Sequence, residues 1–342
     1  MLNVAVKKDF TAVEDRSFDE VDRMLALAAR VKAGEITGGL ERKVLAMVFL
    51  DPSLRTRTSL EAGMFLHGGV ALTIEPGKGS WPFETERCAI MDGDRIEHVV
   101  EAARVLGRYA DFVALRSFPR GASWAEARRD PILASFTEHC EKPVINLESS
   151  RRHPCQELGD LQTIRERLPD PAGRRFALVW AWHPRPLPTA VPVSAALAAA
   201  RLGMELVIAR PDGYDLDPED MATIRSIAAA RRGTVTVVDD PAEAVSGADV
   251  VYAKSWGALD LFGDAAAESV LRAPLRRWRV TEDWMRRTRD GRGALLHCLP
   301  VRRNVEVDDA VLDGPWSAVV DQAENRLHAQ RALLLTLAGA AR

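Results

Sequence analysis

The spacing of apolar residues predicts alternating helices and strands along most of the chain. Between Phe18 and Ala33 apolar residues recur every three or four positions, and Ser17 precedes them with the chemistry of a helix cap. From Val44 to Leu50 the residues are continuously apolar over the length of one strand, and a turn sequence begins at Asp51. A continuous run of this kind is typical of a parallel strand buried on both faces.

The same alternation continues to the end of the chain. Further strands are predicted at Phe112–Leu115, Val144–Leu147, Phe176–Trp180, Leu206–Ala209, Val235–Val238, Val250–Ala253, Leu295–Cys298 and Ala318–Val320. Helical patterns lie between most of them, for example over 98–109, 155–168, 190–202 and 218–231. Strands that alternate with helices predict an α/β fold with parallel sheets and right-handed crossovers. We expect two doubly wound parallel-sheet domains joined by helices.

Chain length supports this division, because 342 residues exceed the size of one ordinary core. We expect a first domain over 1–155 and a second over 156–322. The Ala/Leu-rich segment 323–342 is expected to form a helix that packs back on the first domain.

Composition narrows the possible functions. The net charge of −3 gives no field that would recruit nucleic acid or an anionic membrane, so neither partner is expected. No apolar run reaches the ~18 residues of a membrane span, and 1–10 contains no signal-like apolar region. The four cysteines lack metal-site spacing, which favours reduced thiols in the cytoplasm and no metal.

The segment Phe49-Leu-Asp-Pro-Ser-Leu-Arg-Thr-Arg-Thr-Ser59 has the strongest chemical signature in the sequence. It places hydroxyl groups and guanidinium groups at the point where a strand ends and a helix begins. Free backbone N–H groups at such a helix start attract anions, and an arginine adds a planar fork of donors. A phosphate group is the natural ligand. The alternative is an exposed polar helix cap with incidental arginines.

Three separated motifs resemble those of the aspartate/ornithine carbamoyltransferase family. Ser53–Thr58 (SLRTRT) is similar to the family's Ser-x-Arg-Thr-Arg motif for carbamoyl phosphate. His153–Gln156 (HPCQ) resembles its His-Pro-x-Gln segment, and His297–Pro300 (HCLP) resembles the segment of the ornithine branch. Lys254–Ala258 (KSWGA) is similar to the N-acylornithine branch and departs from the Asp-x-Trp-x-Ser-Met-Gly of ordinary ornithine enzymes. Segments at 81–82, 91–94 and 324–328 extend the resemblance over nearly the whole chain.

The resemblance implies a carbamoyltransferase of arginine biosynthesis that needs no cofactor. It implies transfer of a carbamoyl group from carbamoyl phosphate to the δ-amine of N-acetyl- or N-succinylornithine. It makes 1–155 the carbamoyl phosphate-binding domain and 156–322 the domain that binds the amino acid. A homotrimer with shared active sites is also implied. The residues expected to bind carbamoyl phosphate are Ser53, Leu54, Arg55, Thr56, Trp81, Arg116, His153, Gln156, Cys298 and Arg326, of which Thr56, Arg116 and His153 are expected to be catalytic.

The residues expected to bind the acylornithine are Arg95, Ile96, Glu148, Lys254 and Leu299. Lys254 takes the place of an acidic residue that would pair with a free α-amine, which favours a substrate whose α-nitrogen is acylated. Acetylornithine enzymes have a glutamate where this chain has Ile96, and loss of that negative charge favours a succinyl group. Pro188 and Glu306 also depart from the acetylornithine pattern, with Glu306 in the place of a lysine.

Three other functions share some of these sequence features. An ordinary ornithine or aspartate carbamoyltransferase shares the phosphate motif, but Lys254 argues against it. A nucleotide-dependent oxidoreductase would need a GxGxxG motif after a strand, with an acidic residue further on, and none occurs. A non-catalytic sensor of carbamoyl phosphate would not need the full set of expected catalytic residues. The side chain of Cys298 is expected to contact substrate, and not to act as a covalent nucleophile.

Overall fold

The protein is represented by a computed structural model that describes residues 8–341. The prediction that 1–10 contain no signal-like apolar region concerns mainly residues 1–7, which lie outside the described range. Within the described residues the chain forms two compact units, one of 8–120, 126–155 and 326–341 and the other of 121–125 and 156–325. Over the same residues, no helix has the length and apolar character needed to cross a membrane.

The first unit contains a parallel four-stranded sheet and the helices that cover it. The strands are β1 (Val44–Phe49), β2 (Val70–Ile74), β3 (Phe83–Glu84), β4 (Glu97–His98), β5 (Phe112–Arg116) and β6 (Val144–Glu148). The helices are α1 (Phe18–Lys32), α2 (Arg55–Leu66), α3 (Val99–Tyr109), the end of α4 (Trp124–Ala127), α5 (Pro131–His139) and the start of α6 (Pro154–Arg167). The sheet has the order β2-β1-β5-β6, and β3 pairs with β4.

The central strands of this sheet are buried for the reason that their sequence predicts. β1 and β5 are almost wholly apolar, and their side chains are buried on both faces of the sheet. Val48 and Leu115 belong to a core that also contains Val99 and Phe136 from the covering helices α3 and α5. Helix α1 begins with the expected cap, in which Ser17 and Glu20 bond reciprocally.

The second unit contains a parallel sheet in the order β11-β10-β7-β8-β9. Its strands are β7 (Arg175–Trp180), β8 (Glu205–Ala209), β9 (Thr234–Val238), β10 (Val250–Lys254) and β11 (Ala294–Leu296). The remaining helices are α7 (Ala190–Arg201), α8 (Pro218–Ala230), α9 (Pro241–Val245), α10 (Ala265–Arg272), α11 (Glu282–Arg286), α12 (Asp309–Leu312) and α13 (Val319–Leu337). The chain passes between the units after Arg120, within α4, within α6 and within α13. Two doubly wound parallel sheets confirm the predicted fold class.

One strand prediction was wrong, and the strand β2 was not predicted. The strand expected at Ala318–Val320 does not form, because α13 begins at Val319. Extended pairing occurs just before it instead, where Ala318 N donates to Leu295 O and Leu295 N donates to Trp316 O. β2 was missed because it is an edge strand with exposed positions, so its apolar residues do not mark it as buried.

Candidate active site

The predicted phosphate motif lies at the end of β1 and the start of α2, both in the first unit. The hydroxyl of Ser53 accepts a hydrogen bond from Thr56 N at 3.2 Å, which satisfies one of the free N–H groups of the helix start. Leu54 is largely exposed and precedes the first helical residue, Arg55. The remaining N–H groups and the positive end of the helix dipole make this turn suitable for an anion.

Three guanidinium groups lie close together around this turn. Arg326, in the part of α13 that belongs to the first unit, is buried and donates a hydrogen bond to the hydroxyl of Thr56. Burial lowers the pKa of Arg326, and the positive charges of Arg116 and Arg55 lower it further, against the opposing effects of Cys155 and Glu148. Like charges held in a buried cluster are costly unless an anion accompanies them. The cluster is therefore suited to a multiply charged anion such as a phosphate ester.

Arg116, Glu148 and His153 form a second buried group in the same unit. Arg116 ends β5 and Glu148 ends β6, and the two residues are partners in the parallel pairing of these strands. Their side chains form an ion pair, and His153 Nε2 lies 3.6 Å from a Glu148 oxygen. The Arg116 guanidinium also stacks 4.6 Å from the centre of the Phe118 ring. Glu148, which the sequence assigned to the amino acid, thus pairs with a residue assigned to carbamoyl phosphate.

Asp130 supports the turn that leads to His153, and sequence reasoning missed it. Its carboxylate accepts hydrogen bonds from the Ser149 hydroxyl at 2.8 Å and from Ser150 N at 2.6 Å. Burial raises the pKa of Asp130, while these serine hydrogen bonds partly oppose the rise. Asp130 has a positive φ of 49° and stands directly before Pro131, the first residue of α5. An Asp-Pro helix start predicts only a local cap, and nothing in the local pattern indicates hydrogen bonds to residues 149 and 150.

Trp81, Arg95 and Ile96 lie on exposed segments of the first unit. Trp81 is 63% exposed and Ile96 is 55% exposed. Arg95 lies 3.7 Å from a carboxylate oxygen of Glu84. The structure does not bring these three residues into the cluster around Thr56.

In the second unit, Gln156 is connected through hydrogen bonds to the segment that contains Cys298 and Leu299. Gln156 Nε2 and Gln322 Nε2 both donate to one oxygen of Asp160, at 2.7 and 2.6 Å. Gln322 accepts from His297 N at 2.8 Å, and His297 Nδ1 accepts from Leu299 N at 2.9 Å. Because Nδ1 is an acceptor, the ring proton of a neutral His297 belongs on Nε2.

The conformation of this segment is uncommon. Leu299 has a φ of 54°, in the left-handed region that is unfavourable for a branched side chain. Such conformations persist where surrounding contacts hold them, and they are frequent at functional sites. Cys298, the preceding residue, is buried in the second unit.

Lys254 ends β10 in the second unit and lies near a buried carboxylate. Burial alone would raise the pKa of Glu306. A hydrogen bond and the charge of His297, the charge of Lys254, and a hydrogen bond from Arg302 N together lower this pKa to about 2. Glu306 Oε1 is 3.5 Å from His297 Nε2, and its other oxygen accepts from Arg302 N at 2.9 Å. The Arg302 side chain donates to His183 Nε2 at 2.8 Å. The sequence identified Glu306 only as a departure from a family pattern, and it gave no sign of this network.

The two units thus contain distinct sets of polar residues, both at the carboxyl ends of parallel strands. Doubly wound α/β proteins bind their ligands at this edge, and the buried Arg326 beside Thr56, with the nearby charges of Arg55 and Arg116, is typical of proteins that bind a phosphorylated small molecule.

Comparisons with known proteins identify the family. Residues 8–166 match the carbamoyl-P binding domain of aspartate/ornithine carbamoyltransferase, and residues 182–337 match its Asp/Orn binding domain. The chain is 43% identical to N-acetylornithine carbamoyltransferase of Xanthomonas campestris over 98% of this chain and 99% of that protein. It is 36% identical to N-succinylornithine carbamoyltransferase of Bacteroides fragilis over 93% of this chain and 95% of that one.

A solved structure gives the same result. The crystal structure of a glutamate-to-serine variant of N-acetyl-L-ornithine transcarbamylase, complexed with carbamyl phosphate and N-succinyl-L-norvaline, matches with a TM-score of 0.93 and 43% identity. The match covers 96% of this chain and 99% of that one. The chain belongs to the aspartate/ornithine carbamoyltransferase family.

Proposed function

We propose that this chain transfers the carbamoyl group of carbamoyl phosphate to the δ-amine of an N-acylated ornithine. The products are the corresponding N-acylcitrulline and phosphate, as a step of arginine biosynthesis. The main support for the proposal is the hydrogen bond of buried Arg326 to the hydroxyl of Thr56, together with the charges of Arg55 and Arg116 that act on Arg326, because these groups supply the positive charge that carbamoyl phosphate requires. The cytoplasm is the proposed location, in keeping with four cysteines that form no disulfide.

The reaction needs positive charge at two places. The neutral δ-amine forms a bond from its nitrogen to the carbonyl carbon, and the bond from that carbon to the phosphate oxygen then breaks. The proton that the nitrogen gives up passes to the departing phosphate, so the products balance. Negative charge develops on the carbonyl oxygen in the tetrahedral intermediate and on the departing phosphate. We assign the phosphate to Ser53, Leu54 N, Arg55, Thr56 and Arg326, and the carbonyl oxygen to Thr56, Arg116 and His153.

The roles of the remaining assigned residues are also part of the proposal. Gln156, Cys298 and Leu299 orient the carbamoyl amide and the incoming amine. The ion pair of Glu148 with Arg116 holds the guanidinium in one orientation, which is the requirement for a preorganised donor. Because the substrates are held in a reactive geometry, no covalent intermediate is needed.

Lys254 supports an acylated substrate. A free ornithine has a positively charged α-amine, which would meet the ammonium group of Lys254 at the end of β10. Glu306 is the nearby carboxylate, but its low pKa shows that His297 and Lys254 already stabilise its charge. A neutral N-acyl nitrogen avoids repulsion by Lys254, and this ammonium can pair with the α-carboxylate of the substrate.

Ile96 supports acceptance of a succinyl group. The structurally similar relative with N-succinyl-L-norvaline bound has a serine in place of one of its glutamates. We infer that Ile96 likewise removes a negative charge that would repel the free carboxylate of succinylornithine. Arg95 directly precedes Ile96, and its guanidinium lies 3.7 Å from a carboxylate oxygen of Glu84. We propose that it offers a positive charge to the free carboxylate of the succinyl group.

A homotrimer is the proposed assembly, with Trp81 and Ile96 acting in the site of a neighbouring subunit. The first unit exposes apolar side chains on α2 and on the edge strand β2. These are Phe65, Leu66, Val70 and Leu72, which are 80%, 50%, 54% and 46% exposed. Exposed apolar side chains next to an open strand edge are typical of a surface that another chain covers. Further copies of this chain are the proposed partners.

An assay of product formation tests the proposal. The purified protein is incubated with carbamoyl phosphate and N-acetyl- or N-succinylornithine, and the amounts of N-acylcitrulline and phosphate are measured. We expect the two products to form in equal amounts. A non-catalytic sensor would bind carbamoyl phosphate without forming either product. Release of phosphate without N-acylcitrulline would mean simple hydrolysis and would overturn the proposal.

A further inference from the structure

The second unit contains a buried ion pair whose two residues have no role in the assignments above. Glu268 and Arg272 are four residues apart on α10, and each is only 2% exposed. Their charges neutralise one another in the interior. A buried ion pair of this kind is rarely favourable for stability alone, because apolar side chains of similar volume usually serve as well or better. The contacts of this pair therefore indicate what it does.

The Arg272 guanidinium donates to three acceptors on two loops. It bonds His183 O at 3.0 Å, on the loop that follows β7. It also bonds the Ser255 hydroxyl and Trp256 O, both at 3.1 Å, on the loop that follows β10. The Glu268 carboxylate accepts a further hydrogen bond from Ala258 N at 3.2 Å. The ion pair thus holds the loop that follows Lys254 at several points.

Aromatic packing holds the guanidinium in place. Its central carbon lies 5.3 Å from the ring centres of both Trp180 and Tyr214. Trp180 Nε1 donates to the same Trp256 carbonyl at 3.0 Å, and Trp182 Nε1 donates to Arg272 O at 2.9 Å. A guanidinium suits this position, because its planar fork presents donors in several fixed directions and bonds acceptors on both loops at once.

We propose that Arg272, held by Glu268, is a positioning residue that sets the relative placement of Lys254 and His183 for binding of the acylornithine. This inference rests on the proposed function, since Lys254 is there assigned to the α-carboxylate. Both loops border the network of Lys254, Glu306, Arg302 and His183, so a change in either loop would displace the amino-acid site. Arg272 itself contacts no proposed substrate atom.

Kinetics of Arg272→Lys and Arg272→Met test the inference. A lysine keeps the charge but cannot bond both loops, so we expect KM for the acylornithine to rise about tenfold, and about 10²-fold for methionine. KM for carbamoyl phosphate, bound by the first unit, should change by less than about twofold because its arginine cluster is untouched. Glu268→Gln retains the acceptor for Ala258 N and should give a smaller rise in the same KM.

Arg175→Lys is the matched control. Arg175 also pairs with a glutamate, Glu205, and donates to the backbone carbonyl of Ser246, but it starts β7 and lies at the opposite end of that strand. We expect the KM values of the Arg175→Lys variant for the acylornithine and for carbamoyl phosphate to stay near those of the wild type. Circular dichroism and thermal unfolding of every variant identify any that fail to fold, and Arg272→Lys with Glu268→Gln then decide the question.

The outcomes separate the two proposals. If the wild type does not turn over any acylornithine, the proposed function is wrong. If the wild type is active and the folded Arg272 variants keep the wild-type KM for acylornithine, the positioning role alone is overturned. Equal losses toward both substrates would also overturn it, because they would indicate a general effect on structure.

Discussion

Arg326 donates a hydrogen bond to the hydroxyl of Thr56, and these two buried residues are 270 positions apart in the sequence. Both belong to the first unit, so the last helix of the chain completes the phosphate motif that follows the first strand. Each is polar, and each would be costly to bury alone. Their contact joins the motif Ser53–Thr58, near the start of the chain, to a residue near its end.

Replacement of Thr56 by valine tests this relationship. The variant keeps the shape of the side chain but removes the acceptor for Arg326 and a proposed donor to the substrate. We expect kcat/KM for carbamoyl phosphate to fall by about 10²-fold, the usual cost of one preorganised donor. Thr56→Ser keeps the hydroxyl and serves as the control. A valine variant as active as the serine variant would contradict the assignment of this hydroxyl.

Glu306 predicts a specific dependence of stability on pH. Its folded pKa of about 2 is below the ordinary value of 4.5, so its carboxylate stabilises the fold fully above pH 4.5. That contribution is lost as the pH falls through the interval toward 2. We therefore expect Glu306→Gln to be less stable than the wild type at pH 7, and the difference to shrink between about pH 4.5 and 2.

Chemical denaturation of both proteins at several pH values measures this difference. Glu35→Gln is a suitable control, because Glu35 forms an exposed ion pair with Arg30. Exposed pairs contribute little, so the control should unfold as the wild type does at each pH. A difference between wild type and Glu306→Gln that stays constant over the whole range would contradict the account.

The role proposed for Trp81 predicts that active sites are shared between subunits. Trp81→Ala and Arg55→Ala should each be inactive, the second because it removes a charged donor from the phosphate. When the two variants are mixed and exchange subunits, some sites combine an intact Trp81 from one chain with an intact Arg55 from another. We expect activity to return in the mixture and not in either variant treated alone. Absence of recovery after verified exchange would contradict a shared site.

Ile96 predicts the choice of acyl group. Ile96→Glu restores a carboxylate near the proposed succinyl position, so kcat/KM for N-succinylornithine should fall at least about tenfold through repulsion of like charges. The value for N-acetylornithine should change little. Ile96→Leu controls for the altered shape. An unchanged preference in the glutamate variant would remove Ile96 from the acyl site.

The sequence predicted the fold through its buried strands. Continuous apolar runs identified β1, β5 and β10, since a central parallel strand must be apolar on both faces. The polar residues that end β5, β6 and β10 were also found, as Arg116, Glu148 and Lys254. Their position at the strand ends follows from local pattern alone.

The contacts among site residues could not be predicted in the same way. The ion pair of Arg116 with Glu148 depends on which strands are neighbours in the sheet, and a linear pattern does not specify that order. Asp130 and Arg272 act through side chains that reach loops distant in sequence. Burial of such charged residues is the exception to ordinary hydrophobic patterning, so their sequence context resembled that of solvent-exposed helix residues.

The rates of carbamoyl transfer to ornithine, N-acetylornithine and N-succinylornithine, measured side by side at saturating carbamoyl phosphate, decide whether the substrate is acylated. We expect kcat/KM for both acylated substrates to exceed that for ornithine by at least about 10²-fold, because the free α-amine meets Lys254. It also predicts that N-succinylornithine is used at least as well as N-acetylornithine. A protein that carbamoylates ornithine as efficiently as either acylated form would contradict the assignment.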